Sequence, residues 1–202
     1  MARYPLSPSS GQYKCLGSEF DAEINRLENE EDFKERYDQF HKRYPKADHY
    51  PYAYRVKGHS KSSDDGEPAS SAGRPLLSFL EEKDVYGYVI VARYFGGTKL
   101  GIPRLRRSIL EAASLAHDNG EFGVEENRYC YPLEVDYSTF TALQKLSGKG
   151  KFDLGETKYG LNVETTLISK TRLDKVFVEA GLDERLLEKE TVQQVIVKEE
   201  RL

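Results

Sequence analysis

The sequence predicts an α+β protein built from two domains, and three observations carry that expectation. The stretch Val85 to Ala92 is apolar on both faces, as a strand at the centre of a covered sheet must be. Runs of helical and of strand periodicity alternate on either side of it. Beyond a polar run at residues 119–128, a second set of elements follows in the order βαββαβ, that of a ferredoxin-like domain. The expected domains are residues 13–120 and 128–202, joined by an exposed polar hinge around Gly120 and Gly123.

Taken in order, the Pro- and Ser-rich residues up to Gln12 read as a loose tail. Phe20, Ala22 and Ile24 alternate with Asp21 and Glu23, the period of a half-buried strand. A helix then starts at Asn29-Glu30-Glu31-Asp32 and turns Phe33, Tyr37, Phe40 and Tyr44 inward. Acids fill its first turn and Lys42 and Arg43 its last, so both ends agree with the helix dipole. His49 to Val56 reads as a strand with Tyr50, Tyr52 and Tyr54 on one face. That face is either a half-buried aromatic layer or a stacking platform for bases, with Tyr52 and Tyr54 the candidates. Gly58 to Ser63 reads as a polar loop.

Chemistry-bearing residues concentrate from Asp64 to Arg107. Asp65-Gly66 is a turn signal, and Asp64, Asp65 and Glu67 place three carboxylates within four positions without the spacing of a calcium loop. They are expected to serve the turn and local pairing, with no metal or cofactor implied. Ser70 and Ser71 are candidate N-caps for a helix burying Leu76, Leu77 and Leu80, with Pro75 in its first turn. The central strand ends in Arg93-Tyr94-Phe95-Gly96-Gly97-Thr98-Lys99, where glycine amides can approach a ligand closely. A helix follows from Pro103 to Asp118, burying Leu105, Ile109, Ala112 and Ala116. Its first turn holds Arg104, Arg106 and Arg107, charges that oppose the helix dipole unless an anion docks there. The alternatives are a solvated basic turn, or arginines paired with the Asp64–Glu67 carboxylates.

After the hinge, Tyr129, Tyr131, Leu133 and Val135 alternate in a strand, and Phe140, Leu143 and Leu146 mark a short helix. Strands near 151–158 and 161–168 follow. A helix with Val176 and Phe177, stopped by Gly181, precedes a last strand around Val192 to Val197.

These residues carry a resemblance. Asp64-Asp65-Gly66-Glu67-Pro68, Ala72-Gly73-Arg74-Pro75 and Arg93-Tyr94-Phe95-Gly96-Gly97-Thr98-Lys99-Leu100-Gly101 resemble the signature of the IMPACT/YigZ family, over roughly residues 13–118. The resemblance implies a βαβ first domain similar to the second domain of a small-subunit ribosomal protein. It also implies a small C-terminal domain similar to domain five of elongation factor G, and a role in translation control. The candidate binding residues it adds to are Asp64, Asp65, Glu67, Arg74, Arg93, Gly96, Gly97, Lys99, Arg104, Arg106 and Arg107. This chain departs from the family pattern at Ser70-Ser71, at Pro103-Arg104, where glycines are usual, and at Arg106.

Composition bounds the function. A net charge of −4 over 202 residues confines any basic surface to a local patch. Cys15 and Cys130 stand far apart and read as reduced thiols, and no run is apolar enough to span a bilayer, so a cytoplasmic location is expected. Three function classes follow: a non-catalytic translation-associated regulator binding RNA or the ribosome, a regulator binding a translation-control protein, and a hydrolase or other enzyme using the Asp64–Glu67 carboxylates. No nucleophile–base pair stands at a diagnostic spacing, which places the enzyme last and leaves no catalytic residue to name.

Overall fold

The computed structural model describes residues 2–198; the expected second domain thus ends, at 199–202, outside the described residues. The chain divides into two compact units, Met1–Val124 with Ile196–Leu202, and Glu125–Val195.

The first unit is organised on a five-stranded sheet with strands β2 (Ser9–Cys15), β3 (Ser18–Asn25), β4 (Tyr52–Val56), β5 (His59–Ser63) and β6 (Gly87–Tyr94). Their spatial order is β2-β3-β6-β4-β5, so β6 is central, as its two apolar faces require. Both neighbours run antiparallel to β6, pairing Ala22 with Val91 and Ala53 with Val89. Strands β3 and β4 are therefore parallel and are joined by helix α1 (Glu30–Arg43), a βαβ unit with β6 between its strands. Helix α1 covers one sheet face, where Phe33 and Phe40 meet Tyr54, Tyr88, Ile90 and Ala92. Helices α2 (Gly73–Glu82) and α3 (Ile102–Asp118) cover the other through Leu76, Leu80, Leu105 and Ile109 against Val89 and Val91.

Three expectations are corrected here. The N-terminal residues form strands: β1 (Arg3–Pro5), which pairs with β7 (Phe122–Val135), and β2, whose Ser9 to Cys15 pair with Ile24 to Ser18. Their composition is a poor strand signal, and pairing with buried partners overrides it. Residues 59–63 form an edge strand rather than a loop. Residues 122–128, expected to be an exposed linker, lie within one continuous strand, Phe122 to Val135, with Phe122 and Val124 buried at its start.

In the second unit, β7 and β10 (Val163–Ser169) pair antiparallel, with Leu133 opposite Thr165. Two short strands, β8 (Asp153–Leu154) and β9 (Lys158–Tyr159), pair with the far edge of β10, and β11 (Thr191–Lys198) pairs with β7. Counting β8 and β9 as one broken strand, this is the βαββαβ ferredoxin-like arrangement. Helices α4 (Tyr137–Ser147), capped by Asp136, and α5 (Asp174–Ala180), ended by left-handed Gly181, bury Phe140, Leu143 and Phe177 against Tyr131, Leu133 and Leu167.

Candidate functional site

The signature residues from Asp64 to Arg107 divide into a group that builds the scaffold and a group left facing outward. The scaffold begins at Asp64. Residues 64–67 form a tight turn in which the Glu67 amide donates to the Asp64 carbonyl at 3.1 Å. Both central positions are left-handed, at φ 46° for Asp65 and 83° for Gly66, which suits an Asp-Gly pair. The Asp64 carboxylate then accepts from the backbone amides of Ser70 (2.7 Å), Ala72 (2.9 Å) and Gly73 (2.8 Å). It is the cap of α2. The expectation that Ser70 or Ser71 caps this helix is corrected, since the N-cap residue is Ala72 and a carboxylate from the preceding turn takes the orphan amides. Burial raises the Asp64 pKa, but the amide bonds outweigh it and hold the carboxyl below its ordinary 3.8.

Asp64→Ala is therefore expected to lower stability by ~1–3 kcal/mol, read from urea unfolding at neutral pH. A lowered folded pKa means that the carboxylate's contribution is full above its unfolded value and is lost as pH falls through the folded one. The difference between wild type and Asp64→Ala should accordingly shrink only in acid, below the ordinary 3.8.

Asp65 and Glu67 are also engaged. The Asp65 carboxylate accepts from the Tyr50 amide at 2.7 Å, and its carbonyl accepts from His49 Nδ1 at 2.7 Å. Glu67 and Arg93, 7% and 8% exposed, form a buried ion pair in which both carboxylate oxygens face Arg93 Nη1. Asp64, Asp65, Glu67 and Arg93 are expected to be binding residues; the three carboxylates and Arg93 Nη1 are engaged within the fold. Gly96 belongs with them. A methyl group there would lie 1.9 Å from the Gly17 carbonyl carbon, and its amide donates to Ser18 Oγ at 3.1 Å. The backbone that approaches Gly96 closely is the β2–β3 turn.

The tyrosine platform is corrected in the same way. Tyr54 is 1% exposed and donates to Glu30 at 2.6 Å, so no base can stack on it. Tyr52 is half-buried, its ring 4.7 Å from Phe33 and 5.2 Å from Tyr37. Helix α1 occupies this aromatic face.

The outward group is different. Gly97, Lys99, Arg104, Arg106 and Arg107 are exposed, as is Arg74 on the first turn of α2. Among the described residues none of these five cations forms an ion pair or a side-chain hydrogen bond. Helix α3 starts at Gly101 (φ 71°) without a side-chain cap, carries Pro103 in its first turn and has no acid there. Phe95 (48% exposed) and Ile102 (54% exposed) flank the cations with apolar surface. Among the described residues Arg104, Arg106 and Arg107 form no ion pair with Asp64, Asp65 or Glu67, whose carboxylates bind backbone amides and Arg93 instead.

Fold and signature together define a two-unit α+β protein whose first unit is an Impact N-terminal domain, matched over residues 16–117. The chain belongs to the IMPACT family. It is 29% identical over 153 residues to the IMPACT family member YvyE of Bacillus subtilis, covering 73% of this chain and 70% of that protein. An IMPACT family member of Haemophilus influenzae is 28% identical over 176 residues, 83% of this chain and 85% of its own length. Among solved structures, the crystal structure of a hypothetical protein superposes with a TM-score of 0.59 at 22% identity, over 99% of this chain and 100% of that one; this likeness concerns the fold. Among the described residues no helix is long and apolar enough to cross a membrane.

Proposed function

We propose that this chain is a non-catalytic, translation-associated regulator that binds RNA, free or within the ribosome, through the basic surface at the start of α3. Family membership supports the translation role. One observation carries the binding reading: four cations, Lys99, Arg104, Arg106 and Arg107, gather unpaired at an uncapped helix start, while the signature carboxylates Asp64, Asp65 and Glu67 are committed to the scaffold. Such an arrangement opposes the helix dipole until an anion meets both the amides and the guanidinium groups. The same commitment of Asp64, Asp65 and Glu67 weighs against the hydrolase reading, which needs free carboxylates. A second reading, an acidic protein partner, is favoured by exposed Phe95 and Ile102, since aromatic and apolar anchors beside arginines suit protein interfaces.

The test is the double variant Arg104→Ala/Arg107→Ala. RNA affinity should fall about equally across sequences, and the salt slope should flatten by about 0.7 for each lost contact with single-stranded phosphate. Stability should be unchanged or should rise by up to ~1 kcal/mol, as charges opposing the dipole are removed. Unchanged RNA binding would overturn the RNA reading; loss of a protein partner with unchanged RNA binding would favour the second.

A further inference from the structure

The basic surface continues into a groove between α2 and α3 that the RNA reading alone does not use. Its volume is about 390 Å³, within the ~300–1,000 Å³ range of small-ligand clefts. Phe79, Pro103 and Leu110 supply apolar lining, and the exposed Arg106 and Arg107 line it as well. Glu111 and Ser114 also line it. Glu111 lies one turn beyond Arg107, the spacing at which a helix surface pair normally forms. Among the described residues, however, Glu111 and Arg107 form no ion pair, so both are available to a ligand.

From this set we infer that the groove is a nucleobase pocket, and that the surface takes single-stranded RNA with one unstacked base inserted. The inference rests on the RNA reading above and names its ligand more narrowly. Exposed arginines in the lining suit the phosphates on either side of the base, and apolar side chains suit its faces. The deciding group is Glu111. A carboxylate here opposes both a bare phosphate backbone and an acidic peptide, whereas it accepts from the exocyclic amine of adenine, cytosine or guanine. Uracil has a single ring N–H, flanked by two carbonyl oxygens that the carboxylate repels. A duplex, its bases stacked and paired, cannot fill the groove.

Fluorescence titrations of the full chain with equal-length oligo(A), oligo(C), oligo(U) and an RNA duplex test this. Oligo(A) and oligo(C) should bind about tenfold more tightly than oligo(U), in line with the discrimination of one well-placed base contact. The duplex should bind no better than oligo(U). Glu111→Ala should remove the preference while keeping the salt slope, because it leaves the phosphate contacts in place. Ser114→Trp, which fills the groove, should bring all three single strands to the level of oligo(U). Equal affinity for all four ligands, or their equal displacement by polyglutamate, would overturn the base pocket while leaving a phosphate-binding surface. Absence of RNA binding, or binding indifferent to Arg104→Ala/Arg107→Ala, would instead overturn the reading on which the pocket rests.

Discussion

Glu67→Ala is expected to destabilise the first unit by ~3–5 kcal/mol, because it leaves the Arg93 guanidinium buried without its counter-ion. Arg93 is 8% exposed and its Nε already has no partner, so the stranded charge has no easy route to water. In a melt this corresponds to a loss on the order of 10 °C. The sheet position should survive in the fold, since the Arg93 amide donates to the His49 carbonyl at 2.9 Å and its carbonyl accepts from Asp48 at 2.8 Å. Replacing both partners separates charge from volume: Glu67→Leu/Arg93→Met should recover most of the loss and could exceed wild type, as apolar replacements of buried pairs often do. If Glu67→Ala melts with wild type, the pair does not hold the turn to the sheet. If the double variant is as damaged as the single one, Arg93 has a role beyond its partner.

Gly96→Ala should cost ~3 kcal/mol or more, and its neighbour far less. The new methyl group would sit 1.9 Å from the Gly17 carbonyl carbon and 2.2 Å from the Ser18 amide nitrogen, both backbone atoms of the β2–β3 turn. Backbone cannot swing aside as a long side chain can, so the turn must shift and the Gly96–Ser18 hydrogen bond goes with it. Gly97→Ala meets nothing within 4 Å and is strained only by its φ of 81°, at a cost of ~1–2 kcal/mol. Urea unfolding of the two variants compares them directly. Equal losses would mean that the close approach at Gly96 is not what requires glycine there.

Both effects bear on what the sequence made legible. The central strand, the α1 stripe and the βαββαβ order could be read because apolar period alone decides them. The first strands could not, because Arg3–Pro5 and Ser9–Cys15 owe their form to partners distant in sequence. The continuous strand at 122–135 was hidden by Glu125, Glu126 and Asn127, polar residues in a segment fixed by pairing. At the site, the cations at the start of α3 were visible as a violation of helix-dipole preference. What one sequence does not reveal is which polar groups are already satisfied. Asp64 as the α2 cap, the Glu67–Arg93 pair and the Gly96–Gly17 contact all join residues through space, and they convert expected ligand contacts into scaffold. The groove beside α3 was missed for a related reason: Phe79 and Glu111 come together only when α2 packs on α3.

The central claim, that the surface from Phe95 to Glu111 meets RNA, is tested most directly by ultraviolet crosslinking of single-stranded RNA to the full chain, with mapping of the modified peptides. Adducts are expected on the segment 95–111, and they should disappear in Arg104→Ala/Arg107→Ala and at high salt. Adducts confined to residues 125–195, or adducts on 95–111 that persist in the double variant, would contradict it.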